Sequence, residues 1–384
     1  MARQSEFYKG RRKRRNYAII PGVGLLLFFS VLIVLFYSTQ KYAVIADDGV
    51  SVELPLLSSG KISYDASGNE VVNFDPVSVE IQFQPADYSG VAAVAGKKIK
   101  PLRAIYVPYD DVTPDRIPDY SSRLSSGNAL LLELKQKNGF LAWYSGCQMA
   151  YNYGLNMNAV ESTDALKSII ASLKEDGIYL VAQISCCMDE LLGAHSTEVS
   201  IFNQYGSYYY DEAGYWLDPY STIVRDYAAQ LVRELWDMGF DEVVLCNVCH
   251  PVAEEIENPD GSFTSPFVYN HEMSTEPTPV GGVSGFAVNV AEQLSDREDG
   301  KFLSIYLDSS TALSKVDEKN GQDPALFFKL YDRVFYKTDK YAYNFNVPEV
   351  EKYCTVGSIK DRFIPVVINY LPENTSWVLV DQNA

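Results

Sequence analysis

From residue 101 onward the hydrophobic pattern alternates between two periods. Short apolar runs fall at 102–107, 129–134, 179–185, 242–248, 302–307, 333–336, 363–369 and 377–380. Rich in Leu, Ile and Val and bounded by turn residues, they read as strands. Between them lie helical stripes. Leu166, Ile169, Ile170 and Leu173 share one helix face at i, i+3, i+4 and i+7. Ser162 or Thr163 can cap that helix and Gly177 ends it. Tyr227, Leu231 and Leu235, beside Val224, Ala228, Val232 and Trp236, make a second stripe that Gly239 stops, and Val288, Ala291 and Leu294 make a weaker third. Eight strands with intervening helices predict an α/β fold, a (β/α)8 TIM-like barrel over 101–384. A doubly wound sheet is the alternative, but no G-x-G-x-x-G follows the first strand.

The chain before the barrel follows neither period. Residues 17–37 read YAIIPGVGLLLFFSVLIVLFY, 21 residues without a charge, which is long enough to cross a bilayer as a helix. Arg3, Lys9, Arg11, Arg12, Lys13, Arg14 and Arg15 precede it, and Lys41, Asp47 and Asp48 follow. The positive-inside rule then predicts a cytoplasmic basic tail at 1–16, a single-pass anchor at 17–37 and an extracytoplasmic remainder at the cell membrane. The stretch is longer than a signal-peptide core and ends in Phe36, Tyr37, Ser38 and Thr39 without a small-residue cleavage pattern. Residues 38–100 form a connecting region with β-like runs at 50–54 and 77–83 among Gly, Ser and Asp turn signals.

Charge sharpens that division. The chain has 32 basic and 50 acidic residues; residues 1–41 hold eight of the basic and one of the acidic, leaving the exported part with 24 against 49, net −25. Such a surface excludes nucleic acid as a partner, because phosphate neutralisation needs a basic face.

The segments after the second, third and fourth strands, 136–160, 187–217 and 250–282, are far longer than ordinary βα connections. In a barrel they share the C-terminal face, where active sites lie. They carry Phe140, Trp143, Tyr144, Tyr151, Tyr153, Tyr205, Tyr208, Tyr209, Tyr210, Tyr215 and Trp216. Aromatic rings at a barrel mouth suit a polysaccharide or cell-wall glycan; the bland alternative is that they pack the loops onto the barrel.

Three segments carry a resemblance. Leu132-Glu133-Leu134-Lys135 stands where a family of bacterial glycoside-hydrolase-like proteins, related to α-amylase-type barrels, ends a strand in Asp-x-Lys. Trp216-Leu217-Asp218-Pro219-Tyr220 is similar to its Asp-Pro-Tyr helix start, and Gly239-Phe240-Asp241-Glu242 to its Gly-Phe-Asp-Glu lead into strand four. The resemblance covers 101–380 and is densest at 129–251. It implies the barrel fold and a glycan ligand. It also exposes a departure: where the family ends strand four in Asp-Tyr-Val-Arg-Phe-Pro, this chain has Cys246-Asn247-Val248-Cys249-His250-Pro251. Cys246 takes the place of the nucleophilic carboxylate of a retaining glycosidase, which implies a glycan-binding pseudoenzyme.

Hydrolysis would instead need another carboxylate pair, and Glu133 with Asp308, at the ends of strands two and five, are the candidates. Lys135, Trp143, Tyr144, Asp189, Tyr209, Trp216, Asn247 and His250 are the candidate sugar contacts. A third reading is an envelope scaffold that uses the acidic surface. Asp218 followed by Pro219 reads as a helix N-cap. Cys246-x-x-Cys249-His250 matches the haem-attachment signature, but strand alternation separates the two thiols, so no cofactor and no metal is expected. Cys147, Cys186, Cys187, Cys246, Cys249 and Cys354 can be buried thiols or disulfide partners, and the five near the rim could instead ligate a metal with His250.

Overall fold

The computed structural model describes residues 99–381 except 125–127, 260, 270–276, 299, 339–342 and 370–375, together with four short strands before residue 73. The predicted membrane span and the run at 77–83 lie outside these residues. Among the described residues no helix is long and apolar enough to cross a membrane.

The chain divides into two compact units, residues 1–80 and 81–384. In the first, Ala43–Ala46 pairs antiparallel with Gly49–Val52, and Ile62–Tyr64 with Glu70–Val72.

The second unit is a closed barrel of eight parallel strands: β1 Arg103–Val107, β2 Ala129–Lys135, β3 Tyr179–Ser185, β4 Glu242–Cys246, β5 Phe302–Leu307, β6 Val334–Lys337, β7 Phe363–Ile368 and β8 Trp377–Val380. Closure is made by β8 against β1, with Trp377 opposite Arg103. The strands are apolar on both faces because both faces are covered. Ala104, Leu131, Val181, Val244, Phe335, Ile364 and Val378 fill the barrel interior. Ile105, Leu130, Leu132, Leu180, Val243 and Ile305 face the outer layer and its helices.

Helix α1, Thr163–Glu175, starts at Ser162, whose hydroxyl accepts the Ala165 N–H (3.2 Å), and buries Leu166, Ile170 and Leu173. After α2, Glu190–His195, α3 spans Thr222–Met238 and ends on Gly239 at φ 115°, a left-handed stop that glycine takes without a Cβ clash. Helix α4, Pro279–Gln293, buries Val283, Phe286, Ala287 and Val290; Val288 and Ala291 are only half-buried, so its core stripe is rotated from the predicted one.

Asp218 corrects a second expectation. Helix α3 begins at Thr222, so Asp218 is not its N-cap. Its carboxylate accepts the Tyr220 N–H (2.8 Å) in a turn that precedes the helix.

At the N-terminal end of the barrel, Glu242 and Arg333 pair inside the wall, with Ser304 Oγ (2.5 Å) and Tyr179 Oη (3.0 Å) donating to the Glu242 carboxylate. Charge at this end of the fold serves stability. At the opposite end the long loops after β3 and β4 are tied to each other: Phe202 and Asn203 pair antiparallel with Val268 and Phe267.

Candidate functional site

A cavity of about 710 Å³ opens at the C-terminal ends of the strands. Glu133 and Asp308 both line it, as does Asn247. It also reaches Cys246, at the position the resemblance gives to the nucleophile, and Tyr106, Gln183, Ser185 and Tyr306, which sequence reasoning missed. Their common signal was period two: each is an inward-facing position near the end of a strand.

Glu133 is held by three donors. The Tyr106 hydroxyl bonds to it, and the Tyr109 N–H (3.4 Å) and the Gln136 amide (3.3 Å) reach Oε2. Asp308 is held by a buried amide. Gln322 Nε2 donates to its Oδ2 (3.0 Å), while Gln322 Oε1 accepts the Asp308 N–H (2.8 Å) and the Ser309 N–H (3.2 Å). The same Nε2 reaches the carbonyls of Val248 (3.1 Å) and Tyr306 (3.3 Å), so one side chain ties the ends of β4 and β5 together. Asp308 is open to the cavity yet enclosed by protein on its other sides; that enclosure pushes its pKa up to about 7, against the bonds from Gln322 and the Asn247 backbone. A carboxyl group that is partly protonated near neutrality thus shares the cavity with a second one held by hydrogen-bond donors.

At the end of β4, burial pushes the Cys246 thiol well above its ordinary pKa, and nearby Asp308 adds to the rise. The neutral S–H donates to the Ile184 carbonyl (3.3 Å). A neutral thiol is a poor nucleophile, so this position offers no substitute for a carboxylate. The next residue, Asn247, takes φ 54°, a left-handed conformation that Asn tolerates better than most residues. It ends the strand two residues earlier than the apolar run suggests, and it brings both Cys246 and Asn247 to the cavity.

The other candidate contacts are committed elsewhere. Period two puts Lys135 on the same face as Glu133, but the register shifts between them: Glu133 pairs with Gln183 and Lys135 with Ile184. This bulge turns Lys135 outward. Its ammonium, fully buried, pairs with the fully buried Asp189 (2.8 Å) and donates to the Ser185 carbonyl (2.8 Å). Asp189 also accepts the Leu192 N–H (2.9 Å) at the start of α2. Neither can touch a sugar.

Trp143 is buried, with Nε1 bonded to Glu234 (3.0 Å). Trp216 packs in a small loop core with Ile201 and Cys249, against Met188, Tyr209, Phe267 and Tyr269. Within it the Tyr209 and Phe267 rings meet edge to face at 4.9 Å. His250 is buried there too, its Nδ1 on the Pro251 carbonyl and its Nε2 on the Tyr269 hydroxyl, both at 2.8 Å. Desolvation lowers the His250 pKa to about 4, so the imidazole is neutral; the carbonyl can only accept, which places the proton on Nδ1. Tyr144 is exposed but outside the cavity lining. Trp216 and Tyr209 therefore bind the loops to one another, while Tyr151, Tyr205 and Tyr210, like Tyr144, are exposed outside the cavity lining.

All six cysteines are free thiols, which corrects the disulfide alternative. Cys246 faces the barrel interior and Cys249 the loop core, so they do not present to one porphyrin. Among the described residues no cluster of three or more His, Cys, Asp or Glu side chains is placed to hold a metal.

Residues 111–334, more than half of the chain, match the family model DUF4015, described as "Putative glycosyl hydrolase domain". No curated protein matches the chain. Similar solved structures include a hypothetical protein from Ruminiclostridium thermocellum (19% identity, TM-score 0.41, covering 52% of this chain and 96% of that one). Aspergillus fumigatus Ega3 in complex with galactosamine is similar at 12% identity and TM-score 0.40, covering 73% of this chain and 82% of that one. The glycoside hydrolase domain of PelA from Pseudomonas aeruginosa is similar at 10% identity and TM-score 0.37, covering 71% and 85%.

Proposed function

The chain belongs to this glycosyl hydrolase domain family, and on that premise we propose that it is a membrane-anchored, extracytoplasmic glycan-binding barrel with lost or altered catalysis. The observation that carries the reading is the end of β4: a neutral, buried thiol occupies the position that the family resemblance gives to the nucleophile. Around it the cavity keeps what a saccharide needs, with carboxylates, amides and hydroxyls from several strands converging on one opening. The anchor is the uncharged stretch at 17–37, with the basic tail inside.

The test uses the full chain in mild detergent with cell-wall polysaccharide, α-glucan and β-glucan. Retention on one of them without new reducing ends is the expected result. Retention on none refutes the reading. Orientation is tested separately, with protease added to intact spheroplasts. The barrel should be digested and the tail protected, and a protected barrel refutes the topology.

One observation favours a second reading, a working hydrolase. Asp308, with its pKa near 7, suits a general acid beside Glu133. Reducing ends released by the wild type but not by Glu133→Gln or Asp308→Asn would establish it.

A further inference from the structure

The cavity has two unlike walls. Strands β2 to β5 and their ends contribute Glu133, Gln183, Ser185, Asn247 and Asp308. Strands β7 and β8 contribute only Val366, Ile368 and Val380, bordered on one side by Tyr336 and Lys337 of β6. Ile368 and Val380 are direct register partners at the ends of adjacent strands, so their side chains form one patch rather than scattered contacts. Val366 continues it down into the barrel interior.

A fully hydroxylated pyranose does not match this division. Each ring hydroxyl set against an aliphatic wall gives up water without gaining a partner. The ring's own apolar face is better met by an aromatic plane, and the cavity's three tyrosines are engaged: Tyr106 is bonded to Glu133, Tyr306 packs on Phe335 (5.4 Å) and Tyr336 stacks on Phe363 (6.2 Å). Branched aliphatic side chains fit a methyl group. An acetamido substituent offers a methyl together with an amide N–H donor and a carbonyl acceptor, which is the combination the two walls ask for. The chain after residue 41, net −25, disfavours polyanionic glycans, and a charged amine in place of the acetamido group would lose its hydration against the aliphatic wall, so a neutral glycan fits best.

We infer that the cavity takes an N-acetylhexosamine unit of a neutral glycan, with the acetamido methyl on Val366, Ile368 and Val380 and the polar groups of the sugar on β2–β5. This rests on the glycan-binding reading above and specifies its ligand.

The experiment is calorimetric titration of the full chain in mild detergent with β-1,4-linked N-acetylglucosamine oligomers and with β-1,4-glucose oligomers of equal length. The N-acetylated oligomer should bind at least about fourfold more tightly, the worth of one buried methyl. Val380→Thr keeps the side-chain shape and replaces one methyl by a hydroxyl; it should bring the ratio of the two affinities toward one, while Glu133→Gln weakens both. Thermal melting of each variant separates lost contacts from lost folding, and the wild-type ratio decides the matter without any variant. Equal affinity for the two oligomers overturns the acetamido assignment and leaves the glycan reading standing. Binding of neither, with cell-wall polysaccharide still retained, also overturns the assignment. No binding to any saccharide overturns both.

Discussion

Replacing Lys135 by Met separates the two roles that residue could have. The change keeps side-chain length and removes the ammonium. What remains is a fully buried Asp189 carboxylate without its partner, and a Ser185 carbonyl without its donor. Breaking a buried pair from one side costs about 3–5 kcal/mol, against a total stability of roughly 5–15 kcal/mol for a typical domain. Asp189→Asn alone should cost a comparable amount, since it leaves a buried ammonium. Lys135→Met combined with Asp189→Asn should recover most of the loss. The amide oxygen can still accept the Leu192 N–H that Asp189 now takes, and nothing charged stays unpaired, so the double variant should sit within about 2 kcal/mol of wild type. Urea unfolding followed by tryptophan fluorescence reads this directly, because Trp143, Trp216, Trp236 and Trp377 are all buried. A double variant as unstable as the sum of the two singles would refute the pair. So would a Lys135→Met protein that keeps its stability and loses glycan affinity, the outcome expected if Lys135 faced the cavity.

Three further outcomes follow from the same geometry. Burial raises the Asp218 pKa to about 7, whereas an unfolded Asp titrates near 4. The folded chain therefore keeps a proton that the unfolded chain loses between about pH 4 and 7, and stability falls as pH rises through that window and is level above it. Asp218→Asn should remove the share of that slope due to Asp218, on the order of 4 kcal/mol at most, and leave the share due to Asp308, whose pKa is also raised to about 7, as read from urea midpoints at pH 5 and pH 8. Gln322→Ala removes the clamp between β4 and β5; leaving the Asp308 N–H and the Val248 carbonyl without it should cost about 1–3 kcal/mol in urea unfolding. Gly321 has φ +85° and its Cβ would fall 2.3 Å from the Pro279 carbonyl oxygen. Gly321→Ala should therefore lower stability by about 1–3 kcal/mol in a thermal melt, and an unchanged melting temperature would contradict this backbone contact.

The barrel was legible because its strands are buried on both faces and so appear as continuous apolar runs between amphipathic helices. β3, β5 and β8 match their runs from end to end. Glu133, Asp308 and Asn247 were legible as strand-end residues, and strand ends at one rim of a barrel meet at one opening. The composition of the chain and the residue types at the end of β4 likewise stand in the sequence without any coordinates.

Tertiary structure decided which way the remaining candidates point. A one-residue register shift in β2 turns Lys135 from the cavity to Asp189, and a bulge leaves no mark in the hydrophobic period because Leu134 and Lys135 read as an ordinary strand end. The loop aromatics looked like ligand contacts because composition cannot tell a ring that faces a ligand from one that faces another loop; Trp216, Tyr209 and His250 were claimed by a small core between the β3 and β4 loops. Gln322 lies 74 residues along the chain from Val248 at the end of β4 and 14 from Asp308 at the end of β5, and nothing local marks it. The aliphatic wall of Ile368 and Val380 became a feature only when β8 closed against β1 and set it across the opening from Glu133 and Asp308. Burial period and residue type are local properties that a sequence carries, while facing is a relation between distant segments that exists only once the chain has folded.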